Sequence, residues 1–342
     1  MLKFYTDITQ LTPENRRLVF PLLFDWFYLE HPKVKEYFIF VDTIEAADVC
    51  ILPVDLGYYL HSNRKHEMNL FIASAKKQDK KVWVYSAGDF GTSFSDEVIT
   101  FRLGGFHSKM NANTFVMPSF INDPYHTILS KEWQPINKTI KPSVGFVGNA
   151  DGSFVKWVKE LLIYFKQTLN RFLKKDFTDH QVFFPSSSIR FRLLEKIKAS
   201  EMIHADFVYR NKYRAGATLE SQKVKTTLEF YENIERNLYT FCLRGSGNFS
   251  VRFYETLMMG RIPVLIDTDV RLPLHHEVNW NAHCIICTKN NFIQKIIDFH
   301  NSHSIYELKN IQLQNRTLAL NTLNRQNYFI SISKISQNKY EF

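Results

Sequence analysis

Short apolar runs alternate with amphipathic stretches along this 342-residue chain, and the alternation stops and restarts once. That pattern limits the fold more than any other feature. Before residue 133, Tyr37–Val41, Val49–Val54 and Lys81–Ser86 read as buried strands, Met68–Lys77 as a helix and Val116–Pro118 as a further short strand. Trp133–Pro142 carries two prolines and little periodicity, and reads as a linker. After it, Ser143–Val147, His204–Tyr209, Tyr239–Leu243 and Ile262–Ile266 are expected strands. Helices are expected over Phe154–Leu173, Arg190–Ala199, Val224–Asn237, Val251–Met259 and Phe292–His300. Strands that alternate with helices build parallel sheets covered on both faces. The expectation is an α/β protein of two Rossmann-like lobes facing a central cleft. The lobes are residues 1–135 and 143–342, with the extreme C-terminus packing back on the first lobe.

Hydrophobic residues make up 45% and charged residues 23%, a globular balance. Lys+Arg exceed Asp+Glu by 43 − 34 = 9, which favours anionic partners. The aromatic residues sit in apolar runs and do not interleave with a basic stripe, so no nucleic acid is expected as partner. Peripheral contact with an anionic membrane fits the charge. Cys50 and Cys242 lie in apolar runs and read as buried thiols, and Cys284-x-x-Cys287 has no second pair at zinc spacing. The N-terminus lacks the layout of a secretory signal, and the run Leu18–Leu29 is broken by Pro21 and Asp25. The location expected is cytoplasmic, at most peripheral to the inner face of a membrane.

Ligands of open parallel sheets bind beyond the carboxyl ends of the strands. One such place is Phe241–Glu255, where a strand ends, a glycine-containing loop follows and a helix begins. Gly245 and Gly247 allow close approach of a ligand to the loop, and Ser246 lies between them. The helix start exposes free N–H groups that attract phosphate. Arg244 and Arg252 add charge suited to forked contact with a diphosphate. Glu255, three residues after Arg252, shares its face and is placed to accept ribose hydroxyl protons. Val251, Tyr254, Leu257 and Met258 are expected to pack on the sheet. Arg210, Lys212 and Arg214 follow another strand, within reach of donor phosphates or as a solvated loop.

These residues resemble the exostosin-type glycosyltransferases. The resemblance runs from Arg244-Gly245 to Arg252-x-x-Glu255, then Met259-Gly260-Arg261-Ile262-Pro263-Val264, Leu272-Pro273 and Val278-Asn279-Trp280. Glu45-Ala46-Ala47-Asp48-Val49 leading into Leu52-Pro53, and Gly145-Phe146-Val147-Gly148-Asn149, extend it more loosely over residues 35–285. It implies a GT-B architecture with the nucleotide-sugar held mainly by the second lobe and a saccharide acceptor by the first. It also implies inversion at the anomeric carbon, with no obligatory metal or other cofactor. The activity expected is transfer from a nucleotide diphosphate sugar, UDP favoured, in glycan or surface polysaccharide synthesis. Asp267-Thr268-Asp269 has the form of a metal–diphosphate device in another class of glycosyltransferases. Here it is read as a loop or a donor contact through Asp267.

An inverting transfer needs a base for the acceptor hydroxyl. Asp89, flanked by Gly88 and Gly91 after the Lys81–Tyr85 strand, is the first candidate; Asp55 and His107 are the alternatives. A fucosyltransferase-like enzyme using a GDP-sugar is the rival within enzymes, although Arg252 stands where that family has a lysine. A basic protein binding nucleic acid or anionic surfaces is the rival outside them.

Overall fold

The computed structural model describes residues 1–211, 216 and 219–338. In the first part of the chain the elements are β1 (Leu2–Tyr5), α1 (Pro21–Leu23), α2 (Pro32–Tyr37), β2 (Phe38–Phe40), β3 (Val49–Ile51), α3 (Leu56–His61), α4 (Lys65–Lys77), β4 (Lys81–Ser86), β5 (Ile99–Arg102) and β6 (Thr114–Val116). In the second they are β7 (Ser143–Asn149), α5 (Phe154–Phe172), α6 (Ser186–Lys198), β8 (His204–Arg210), α7 (Glu220–Arg236), β9 (Tyr239–Cys242), α8 (Val251–Met258), β10 (Ile262–Ile266), β11 (Ile285–Cys287), α9 (Phe292–Ser302), α10 (Ile305–Asn321) and α11 (Arg325–Asn338).

The strands form two separate sheets, ordered β2-β1-β3-β4-β5-β6 and β11-β10-β9-β7-β8. Every pairing within them is parallel. The two-sheet α/β architecture expected from the alternation is therefore present. In each sheet the chain first adds a strand on one side and then crosses to the other. That leaves a crevice at the reversal, between β1 and β3 in one sheet and between β7 and β9 in the other. Both sheets have buried strands because helices cover both faces, and β3, β9 and β10 are buried along their whole length.

The expected strand at 37–41 is shorter, because α2 runs through Tyr37. β5 escapes an apolar reading because it buries Thr100 and Arg102. Arg102 is tolerated because its guanidinium donates to the main-chain oxygens of Phe90 and Gly104 and pairs with Asp179 at 2.7 Å. The segment read as a linker is also pinned. Trp133 donates to the Met259 oxygen at 3.0 Å, and the Ile136 N–H donates to Gln312 at 2.9 Å.

The last helix, α11, lies on the first sheet. Phe329 packs against Phe20, Trp83 and Phe101, with ring centroids 5.4, 6.4 and 5.5 Å away. The Tyr328 hydroxyl donates to the Val116 oxygen at 3.0 Å, and Arg325 pairs with the fully buried Asp25. Phe329→Ala leaves a cavity among these rings and is expected to lower unfolding free energy by about 3–5 kcal/mol. Denaturant unfolding measures it; a loss near zero would show that α11 is not part of the first lobe's core.

Candidate active site

A cavity of about 700 Å³ opens between the lobes. Its floor is the reversal point of the second sheet: Val147, Gly148 and Asn149 at the end of β7, and Leu243 through Ser250 (apart from Arg244 and Asn248) after β9. Asp89 and Phe90 face it from the first lobe, and α5, α6, α7, α8, the end of β8 and the segment 181–184 supply the remaining walls.

The loop after β9 is held by its own main chain, the Gly245 N–H donating to the Phe249 oxygen at 3.3 Å. Gly247 sits where the two lobes touch: a methyl group there would overlap the main-chain oxygen of Asp89. Ser250 precedes α8 without capping it through its side chain, so the first amides of the helix have no side-chain partner from that residue.

Three arginines surround this loop. Arg252, in the first turn of α8, donates to the Val147 oxygen at 2.8 Å and lies over the rings of Phe146 and Phe230. Arg190, on α6, donates to the Asn149 oxygen at 2.6 Å and the Arg244 oxygen at 3.1 Å. Arg210, at the end of β8, is tied to Glu229 and to the Thr226 oxygen. The Nε atoms of Arg190 and Arg252 are buried with no hydrogen-bond partner. Burial first, and then the charge of Arg252, lowers the pKa of Arg190 to about 9; burial also lowers that of Arg252. Both shifts mark guanidinium groups that are enclosed and only partly neutralised.

Glu255 lies one turn along from Arg252 on the same wall. Burial pushes its carboxyl up to about 7, against the opposing charge of Arg252, and the Tyr231 hydroxyl approaches it at 3.5 Å. Glu160 also lines the cavity, one oxygen accepting from the Ser187 N–H at 3.2 Å and the other unpartnered; burial raises its pKa. Among the described residues no group of three His, Cys, Asp or Glu side chains could hold a metal ion.

The structure gathers Asp89, Arg210, Gly245, Ser246, Gly247, Arg252 and Glu255 around this cavity. It takes others elsewhere. The side chain of Arg244 lies between Phe106 and Phe184, in a neighbouring recess shared with Asp267 and Lys289. Asp267 there accepts from the Val270 N–H at 3.1 Å, and Asp269 holds Ser108 of the first lobe, Oγ to Oδ2 2.6 Å. Asp55 is buried at the start of α3, accepting from the Ala87 N–H at 2.6 Å, and joins two loops of the first lobe. His107 accepts from Arg271 at 3.1 Å and belongs to the contact between lobes. Neither Asp55 nor His107 lines the cavity. Lys212 and Arg214 lie outside the described residues. Val251, expected in the core, is 42% exposed; Phe253 and Thr256 are buried in its place, because α8 is covered by α10 as well as by the sheet. Sequence reasoning misses Arg190, yet it stands in line with Leu193, Leu194 and Ile197 on the apolar stripe of α6, and a cation in a core stripe is the signal.

No family model and no curated protein matches the chain. Among solved structures it is similar to a glycosyltransferase from Rickettsia africae ESF-5, at 12% identity and a TM-score of 0.42, over 98% of both chains. It is also similar to a mutant of S. aureus TarM in complex with fondaparinux, alpha-GlcNAc-glycerol and UDP, at 9% identity and a TM-score of 0.34, over 84% of this chain and 54% of that one. The pneumococcal O-GlcNAc transferase GtfA in complex with UDP and GlcNAc follows at 10% and 0.31, over 85% and 56%. The chain thus spans little more than half the length of the TarM and GtfA chains. At this level of likeness the residues of the cavity have to carry the function themselves.

The raised pKa of Glu255 has a defined effect on stability. The folded carboxyl keeps its proton up to about pH 7, while the unfolded one titrates near 4.5. Its contribution is thus present below the unfolded value and lost as pH rises through the folded one. Glu255→Gln removes that titration, so its melting temperature relative to the native chain is expected to be higher at about pH 8 than at about pH 5. The same offset at both pH values would mean that the carboxyl titrates normally.

Proposed function

We propose that the chain is a glycosyltransferase that takes a sugar from a nucleotide diphosphate donor, UDP favoured, and passes it to a saccharide hydroxyl with inversion. The observation that carries this reading is the cavity wall on which Arg190, Arg210, Arg252 and Glu255 converge at the reversal point of the second sheet, with Asp89 opposite on the first lobe. The exostosin-like sequence pattern around Arg252 and Glu255 supports the same reading.

Each part of such a donor has a partner of suitable chemistry. The diphosphate matches the guanidinium groups of Arg190 and Arg252 and the amides of the glycine loop. The ribose hydroxyls match Glu255, which becomes a stronger acceptor when it is ionised beside Arg252. As the bond from the anomeric carbon to the departing phosphate breaks, negative charge grows on the diphosphate, and the same arginines stabilise it. The acceptor hydroxyl attacks from the first-lobe side and loses its proton to Asp89, which is exposed and free to receive an acceptor. Charge on the leaving group is met by the chain's own cations, so turnover is expected to persist in EDTA.

Asp89→Asn keeps the shape and cannot take a proton, so turnover should fall by about 10²–10⁴-fold with donor affinity unchanged. Arg252→Ala should lower both turnover and nucleoside diphosphate affinity, because its charge acts on the bound donor and more strongly on the leaving group. Isothermal titration with UDP, GDP, CDP and ADP, together with a donor-hydrolysis assay, measures both. If no nucleoside diphosphate binds, or if Arg252→Ala binds as tightly as the native chain, the donor does not sit in this cavity.

A further inference from the structure

Helix α5 is turned the opposite way from an ordinary surface helix. Soluble proteins face the apolar stripe of a helix inward. In α5 no residue is buried. On the cavity side Lys156, Glu160, Tyr164 and Gln167 line the cavity together with the apolar Ile163, and Trp157 packs against Phe183 with ring centroids 5.7 Å apart. Phe154, Val155, Leu162, Phe165, Leu169 and Phe172 are all exposed, Phe154 to 75% and Phe172 to 82%. At 3.6 residues per turn these six fall within an arc of roughly 100°, a continuous apolar band along the helix. Lys159 and Lys166 border the band on one side, and Lys174 and Lys175 follow its end; all four are exposed. Glu160, the one acidic residue of the helix, is on the cavity side and makes no part of the band.

We propose that α5 is a docking face for an anionic lipid surface, lying in the plane of the bilayer with its phenylalanine and leucine side chains among the acyl chains and its lysines among the headgroups. Three observations select this occupant. The band is apolar enough to leave water, yet no described helix is long and apolar enough to cross a membrane, so α5 would lie on the surface and not span it. Lys159 and Lys166 border it with no acidic residue of the helix beside them, and Lys174 and Lys175 precede a single Asp176 that is turned to Thr178, so the flank complements anionic headgroups. A second copy docked through the same face would bring its lysines against these lysines. Docking would also set the cavity beside the bilayer, because the other side of α5 forms its wall. The proposal does not depend on the donor reading, since it concerns the opposite side of the helix.

The test is flotation of the full chain, without nucleotide, with vesicles of phosphatidylcholine alone and vesicles of phosphatidylcholine and phosphatidylglycerol in equal parts. The expected result is binding to the mixed vesicles and little to the neutral ones. Lys159→Ala combined with Lys166→Ala should weaken binding by roughly fivefold per lysine. Phe165→Ser with Leu169→Ser should abolish it, with melting temperature unchanged because neither side chain packs in a core. No binding to mixed vesicles, or binding that both double variants retain, would overturn the proposal. So would sedimentation velocity showing a dimer that Phe165→Ser with Leu169→Ser converts to monomer, without vesicle binding by the native chain.

Discussion

The guanidinium of Arg190 bridges the main-chain oxygens of Asn149 and Arg244, and the second lobe's binding surface is organised around that bridge. The two oxygens belong to the ends of neighbouring parallel strands, just where the chain leaves the sheet in opposite directions. Carbonyls at such ends have lost their ladder partners and must be satisfied in another way. Arg190 satisfies both, and Arg252 does the same for Val147. The cations that close the sheet therefore also face the cavity. Burial is the main cause of their lowered pKa values, with the charge of Arg252 adding to the effect on Arg190.

That arrangement matters only if the first lobe closes over it, and two groups of contacts see to this. Near the cavity, Gly247 lies directly against the Asp89 main chain, and Arg102 of β5 pairs with Asp179, which follows α5. Further out, Arg271 donates to the oxygens of Met110 and His107 and to the His107 ring, while the Asn248 amide donates to the Gly105 oxygen. The Asp-x-Asp triplet, which in sequence suggests metal chemistry, supplies Asp269 to this contact between lobes. On the far side, α11 returns to the first sheet and Arg316 of α10 pairs with Asp123 at 2.5 Å. The chain crosses between lobes twice, and both crossings are anchored by buried side chains.

Most of the architecture is legible in the sequence because parallel strands buried on both faces leave a continuous apolar trace. Lys81–Ser86 and Ile262–Ile266 coincide with β4 and β10. What is not legible has a common cause. β1 is too short to show a pattern, β5 hides a buried arginine, and α10 buries Gln312, Asn315 and Arg316, so its polar and apolar positions do not separate. In the site, the glycine loop and the Arg252–Glu255 pair are legible because they are close in sequence and follow a strand. Arg190 and Glu160 are not, because they come from other helices and meet the loop only in space.

The sequence by itself determined two parallel α/β sheets and a glycine-containing loop leading into α8, since each depends on local periodicity and on backbone chemistry within a few residues. Tertiary structure alone decided which charges face one another. It placed Asp89 across from the loop, turned Arg244 and Asp267 into a separate recess, and committed Asp55, His107 and Asp269 to contacts of their own. It also decided that the apolar side of α5 faces outward, because the polar side is needed for the cavity wall. Periodicity fixes the existence of a helical stripe, but only the packing of neighbouring elements fixes the direction it faces.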